Sequence, residues 1–240
     1  MPHNRRKSAE RRRARLEAER KQRARKNRRT AATVGVAVLA LVIVLVVVLT
    51  GSSGGSTVQY VTERGVDPSA LPGILTTPAP WPINTKDLPA RLTADGMPPL
   101  GAVEGQVFHI HQHIDIYIHG AHTLVPPYVG IRVSPDQILY APIHTHPGED
   151  GIIHVESPTQ RDFAFGEFFD VWGVLFTPTC IGGYCNAGNE HLQVFANGKV
   201  VTGNPRQLKL TPHEEIVVTF GTPDQIPRPY PVSYNFPQGL

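Results

Sequence analysis

Hydrophobic and polar residues alternate most regularly in the segment 108–120. Successive side chains of a strand point to opposite faces, so the alternation separates an isoleucine face from a polar face. The β-branched isoleucines suit a buried, pleated surface. The polar face carries a row of imidazoles, a phenol and one carboxylate: His109, His111, His113, Asp115, Tyr117 and His119. The pattern predicts a strand with one face in a core and one histidine-rich face.

Further patterns along the chain predict the remaining elements of one domain. In order they are a hairpin turn at 119–122, strands at 137–144 and 151–156, a helix over 163–173 ending at Gly173, a hairpin over 191–201 around Asn197-Gly198, and a last strand at 215–220. This order predicts an α+β domain over residues 100–222 that is β-rich, β-grasp-like and contains one short helix. The histidine hairpin is expected to extend the sheet of this domain.

Residues 31–50 form an uncharged run dominated by Val and Leu. At about 1.5 Å per residue, a helix of this length crosses the roughly 30 Å hydrocarbon core of a bilayer. A cleavable signal peptide is the alternative. The long basic segment before the run, and the lack of a small-x-small cleavage pattern before Gly51, favour an uncleaved transmembrane anchor.

Charge divides the chain at this apolar run. Residues 1–29 contain fourteen Lys/Arg and three Asp/Glu, whereas the rest contains nine and seventeen. Cations beside a membrane span stay cytoplasmic and contact anionic lipid, and an acidic domain disfavours nucleic-acid binding. The sequence therefore predicts a single-pass protein of the cell membrane with its C-terminal domain outside the cytoplasm. Its expected parts are a basic cytoplasmic tail at 1–30, a transmembrane helix at 31–50, a Gly/Ser/Pro-rich linker at 51–99, the histidine-rich domain at 100–222 and a Pro-rich tail at 223–240.

The chain has two cysteines, Cys180 and Cys185, in the part expected outside the cytoplasm. An oxidising compartment favours a local disulfide between them. Their C-x₄-C spacing differs from the C-x-x-C of thioredoxin-type redox proteins. Ligation of a metal by both thiols, facing the histidines, is the alternative.

Ten of the eleven histidines lie between His109 and His213, and the H-x-H pairs His109/His111 and His144/His146 occur among them. Imidazoles two residues apart on a strand lie about 7 Å apart, so residues of neighbouring strands can surround one zinc, copper, iron or nickel ion. The candidate ligands are His109, His111, His144 and His146, followed by His113 and His154. Asp115, Glu149 and Glu156 are candidate ligands or partners that fix imidazole tautomers. Alternatively, the histidines only hydrogen-bond to neighbours on a half-exposed sheet face.

Two resemblances extend this interpretation. The phrase His144-x-His146-Pro-Gly-Glu149 resembles part of the first cupin motif, which holds a metal inside a β-barrel, but the second cupin motif has no good counterpart. The span 88–222 resembles a family of membrane-anchored, histidine-rich extracytoplasmic proteins of actinobacteria and some archaea. The matching phrases occupy 108–120, 144–146, 151–158, 166–173 and 192–199. This resemblance implies the membrane topology and the domain boundary, and carries no activity with it.

Three functions follow as hypotheses from these observations. The first is a membrane-tethered domain that binds copper or zinc, and the second is a cupin-like metalloenzyme. The third is a non-enzymatic interaction domain without metal. The sequence contains neither a nucleophile elbow nor a phosphate-binding glycine loop.

Overall fold

The computed structural model describes residues 57–62 and 65–240, which belong to one compact unit, Thr57–Leu240. The strands are β1 (Phe108–Ile118), β2 (Ala121–Thr123), β3 (Ile131–Val133), β4 (Ile138–Tyr140), β5 (Ile143–His144), β6 (Ile152–Ser157), β7 (Cys180–Ile181), β8 (Tyr184–Cys185), β9 (His191–Ala196), β10 (Lys199–Val200) and β11 (Glu214–Gly221). The helices are α1 (Leu88–Ala94) and α2 (Phe165–Trp172), with 3₁₀ turns at Pro68–Ala70 and Pro205–Gln207. The predicted α+β, β-rich class is confirmed, with two α-helices in the described part instead of one.

The main sheet has the order β10-β9-β11-β1-β6-β5, and β2 pairs with the end of β1. Strand β1 runs parallel to β11 and antiparallel to β6. The histidine strand therefore lies in the middle of the sheet, whereas the sequence analysis expected its hairpin to extend the sheet. The difference arises because β2 is only three residues long, while β6 and β11 cover the two edges of β1.

The isoleucine face of β1 forms the centre of the core, as the alternation predicts. Ile114, Ile116 and Ile118 are buried, and α2 joins the same cluster through side chains such as Phe168. The helix ends at Gly173, whose φ of 85° is a left-handed conformation that favours glycine at a helix C-terminus. The helix and its end at Gly173 are thus as predicted, although it begins at Phe165 and not at Phe163.

The described residues between 57 and 99 include side chains that pack against this core, instead of forming the expected linker. Trp81 is 2% exposed, and Leu92 of α1 is fully buried. Arg91 donates hydrogen bonds from Nε and Nη2 to the backbone carbonyls of Asp170 and Val171 in α2, at 2.6 and 3.2 Å. Proline favours extended backbone but leaves intervening apolar side chains able to enter a core. The boundary near residue 100 is therefore wrong, and the packed chain includes the described residues from Thr57 onward.

The Pro-rich tail at 223–240 runs over the domain surface through three aromatic contacts. Tyr230 packs on Phe195, Tyr234 on His113 and Phe236 on His213, with ring centroids 4.3, 3.7 and 4.8 Å apart. The tail thus reaches the polar face of β1.

Within residues 57–62 and 65–240, no helix has both the length and the apolar character required to cross a bilayer. The expected basic tail at 1–30, the transmembrane helix at 31–50 and the first part of the expected linker, 51–56, lie outside the described residues.

Candidate metal centre

Three neighbouring strands place histidines side by side on one face of the sheet. His111 of β1 lies opposite His154 of β6, and His154 lies opposite His144 of β5. His109 lies opposite Glu156 in the same way. Aligned residues of adjacent strands share a face and have neighbouring Cβ atoms. The register therefore joins side chains from both H-x-H pairs into one continuous polar patch.

The pair at the end of β5, His144 and the following His146, has the orientation of metal ligands. His144 is fully buried, and its Nδ1–H donates to the carbonyl of Ala141 at 2.9 Å. In the neutral ring this hydrogen bond leaves a lone pair on Nε2, which lies 3.1 Å from Nε2 of His146. A backbone carbonyl that fixes the tautomer in this way is a recurrent feature of metal-ligating histidines.

The pair on β1 converges in a similar manner. The Nε2 atoms of His109 and His111 lie 3.0 Å apart. Oε1 of Glu156 lies 3.1 Å from Nε2 of His109 and 4.0 Å from Nε2 of His111. The His109 side chain is 44% exposed, so this end of the patch is open to solvent.

His154 lies between the two pairs. Its ring centroid is 4.5 Å from that of His111 and 4.6 Å from that of His146. Its Nε2 lies 2.6 Å from Oε2 of Glu149, and its Nδ1 lies 3.2 Å from Oε1 of Glu156. Both carboxylates thus contact the central imidazole.

Glu104 is a cluster residue that the sequence analysis missed. It lies in the loop before β1, and its Oε1 is 3.3 Å from Nε2 of His146 and 4.0 Å from Nε2 of His144. No periodic pattern in the sequence indicates Glu104, because a loop residue does not belong to one face of a strand or helix. We call the following eight residues the histidine–glutamate cluster: His109, His111, His144, His146, His154, Glu104, Glu149 and Glu156.

Burial sets the charge of the cluster. It lowers the pKa of His111 to about 4, with the charges of His154 and His109 acting in the same direction. It also lowers the pKa of His144 to about 4. Both imidazoles are therefore neutral at pH 7, the state in which histidine binds a metal ion.

The two central side chains of the cluster, His154 and Glu156, each favour the charged form of the other. Burial opposes ionisation of His154, but the hydrogen bonds that its ring donates to Glu156 and Glu149 outweigh this effect and raise the pKa of the imidazole. Burial likewise opposes ionisation of Glu156, but the hydrogen bond donated by His154 and the charges of the surrounding histidines lower the pKa of this carboxylate. Glu156 is therefore an ionised, buried carboxylate within the patch.

The structure separates His113 and Asp115 from the cluster, contrary to their assignment to one site. Nδ1 of His113 lies 2.8 Å from Oε2 of Glu215, and its ring stacks on Tyr234. Asp115 contacts His122, with Oδ1 and Nε2 2.7 Å apart. The separation arises because pairing of β1 with β6 ends at His113, so later residues of β1 face other neighbours.

His113, Asp115 and Glu215 form a separate group whose potential ligand atoms lie within 4.8 Å of one another. The sequence analysis missed Glu215 and His122, which come from β11 and β2 and pair with β1 in the fold.

Cys180 and Cys185 form a disulfide across the hairpin of β7 and β8. The two sulfur atoms are therefore bonded to each other, and neither is the thiolate ligand of a metal that the sequence analysis considered as an alternative.

The histidine–glutamate cluster lies on an open sheet. Strands β10 and β5 are the two ends of the pairing order within the described residues, and they do not pair with each other. A cupin motif holds its metal inside a closed barrel, so the environment of His144, His146 and Glu149 differs from that of a cupin.

Comparison of the chain with protein-family models, with curated proteins and with solved structures finds no match. The geometry of the site is therefore the basis for a functional proposal.

Proposed function

We propose that this chain presents a domain that binds a transition-metal ion, zinc or copper, at the histidine–glutamate cluster. The observation that carries the proposal is the convergence of the two H-x-H pairs, whose Nε2 atoms lie 3.0 and 3.1 Å apart. Two nitrogens each about 2.05 Å from a tetrahedral ion are separated by about 3.3 Å. The imidazoles of each pair are thus arranged much as ligands of one ion are.

The donor atoms support this choice of metals. The cluster offers imidazole nitrogens and carboxylate oxygens, and the two cysteines are joined in a disulfide. Imidazole suits zinc, copper, iron and nickel, whereas sites made only of carboxylate, carbonyl and water oxygens suit magnesium, calcium and manganese. Among these ions, zinc and copper are the two we expect.

The setting of the domain is also part of the proposal. We infer a β-grasp-like fold, because parallel β1 and β11 are flanked by antiparallel partners and α2 lies between β6 and β9 in the chain. The uncharged run at 31–50, preceded by a basic segment, supports a single membrane anchor with the domain outside the cytoplasm. The disulfide fits such a compartment. The resemblance to membrane-anchored extracytoplasmic proteins agrees with this topology.

The test is elemental analysis of the full chain, purified in detergent without a histidine tag and loaded with Zn²⁺ or Cu²⁺. We expect stoichiometric metal in the wild-type protein and a loss of at least one bound ion in His144→Asn/His146→Asn. The matched control is His119→Asn/His191→Asn, which removes two histidines outside the cluster and should leave the metal content unchanged. A wild-type protein that is folded but metal-free after loading with Zn²⁺ and after loading with Cu²⁺ would refute the proposal. The non-enzymatic interaction domain would then be the remaining hypothesis.

A further inference from the structure

The histidine–glutamate cluster contains more ligands than one transition-metal ion takes. Five imidazoles and three carboxylates belong to it, whereas zinc sites in proteins hold four or five ligands. Two ligand groups within it share no residue: His144, His146 and His154 form one, and His109, His111 and Glu156 form the other. In each group the potential ligand atoms lie within 4.8 Å of one another.

The two H-x-H pairs belong to strands that are not neighbours. His109 and His111 are on β1, and His144 is on β5, while β6 lies between these strands. Adjacent strands are about 4.8 Å apart, so the backbones of β1 and β5 are separated by about twice that distance. Each pair converges on its own point, which indicates two coordination centres side by side.

Glu156 on the intervening strand reaches both centres. Its Oε1 is 3.1 Å from Nε2 of His109, and the carboxylate also forms a group with His144 and Glu104 in which all ligand atoms are within 4.8 Å. Its other oxygen, Oε2, is buried and has no hydrogen-bond partner among the residues that the structure describes. A buried, unpartnered carboxylate oxygen is energetically costly, and a second cation removes that cost.

The three carboxylates of the cluster lie among imidazoles. Within the described part of the chain, the carboxylates Glu104, Glu149 and Glu156 have ion-pair partners within 4.0 Å that are all histidines, and none that is Lys or Arg. The three carboxylates carry more negative charge than one divalent ion balances and less than two divalent ions supply, so the charge of the cluster accommodates a second ion.

We infer that the cluster is a dinuclear metal centre in which Glu156 bridges two ions. His144 and His146 hold the first ion, together with His154 once its imidazole has released a proton to bind. His109 and His111 hold the second ion at the solvent-exposed end. Two ions bridged in this way lie about 3.5–4 Å apart in known two-metal sites. The inference rests on the proposed function, and adds the number of ions and the role of Glu156.

The test measures the number of ions per chain in the full, untagged protein after loading with Zn²⁺ and gel filtration. We expect two ions in the wild type and in the His119→Asn/His191→Asn control. We expect one ion in His109→Asn/His111→Asn and one in His144→Asn/His146→Asn. Glu156→Gln keeps every imidazole but lacks the bridging charge, so we expect it to retain one ion.

The possible results separate the two proposals. One ion in the wild type would overturn the dinuclear centre and leave the proposed metal binding intact, whereas none would overturn both. Two ions in Glu156→Gln would overturn the bridging role.

A second measurement on the wild type alone covers the case in which a variant fails to fold. Loading with Cu²⁺ should give an electron paramagnetic resonance spectrum with the half-field transition of two coupled ions. A spectrum of isolated Cu²⁺ at full loading would contradict the inference without reference to any variant.

Discussion

Replacement of Trp81 by alanine tests whether the Pro-rich segment before β1 belongs to the folded domain. Trp81 is 2% exposed, and its ring packs edge-on against Trp172 and Tyr184, with centroids 5.8 and 6.3 Å apart. Its Nε1–H donates to the carbonyl of Thr77 at 2.8 Å. Burial of roughly 200 Å² at about 25 cal/mol per Å² contributes about 5 kcal/mol, which is an upper limit for an extended reference chain. We therefore expect Trp81→Ala to lower the free energy of unfolding by about 3–5 kcal/mol.

Urea unfolding followed by tryptophan fluorescence measures this effect. The chain has two tryptophans, and Trp172 remains in the variant as a buried reporter within the same core. With a urea dependence of about 2 kcal/mol per M, the midpoint should fall by about 2 M. Ile83→Ala is the control, because Ile83 lies in the same segment but is 40% exposed, and it should change stability by less than about 1 kcal/mol. If Trp81→Ala changed the free energy of unfolding as little as this control, the segment would be a linker and the packing argument would fail.

Two further predictions concern pH and redox state. Burial, with the charges of Asp170 and Glu167 next in importance, raises the pKa of Asp95 to about 8. An unfolded Asp titrates near 3.9, so the folded state holds the proton more tightly and the free energy of unfolding should fall as pH rises from about 4 to about 8. Urea unfolding at pH 5 and pH 8 should show a smaller fall in Asp95→Asn, and an equal fall would exclude this origin. Reduction of the Cys180–Cys185 disulfide opens a short loop and should lower stability by about 2 kcal/mol, measured by the same unfolding assay. Metal content should not change on reduction, since neither sulfur is a proposed ligand; loss of metal would assign the sulfurs a role.

Local rules in the sequence account for much of the fold. Two-residue alternation indicated which face of β1 is buried, and Asn197-Gly198 and Gly173 marked a turn and a helix end that the structure contains. Alternation assigns a residue to a face but does not identify the strand beside it. The parallel pairing of β1 with β11 was therefore not predictable from pattern alone.

The candidate site was predictable to a similar extent. The two H-x-H pairs and Glu156 lie together because β1, β6 and β5 are neighbours, as the spacing of the histidines suggested. His113 lies on the same face of β1 as His109 and His111 but outside the histidine–glutamate cluster, because the pairing of β1 with β6 ends at this residue. The position of Glu104 in the cluster depends on the path of a loop, and composition does not predict that path.

The parallel pairing of β1 with β11 also affects the order in which the domain is built. The strands that carry histidines of the cluster, β1, β5 and β6, all lie within residues 108–157, whereas Ile114 of β1 pairs with Ile216 of β11. Contacts between residues so distant in sequence close a long loop, and proteins dominated by such contacts fold slowly. During synthesis the imidazoles therefore emerge well before the strand that completes the centre of the sheet. A metal ion that arrives in this interval meets the H-x-H pairs before β11 has paired with the other edge of β1.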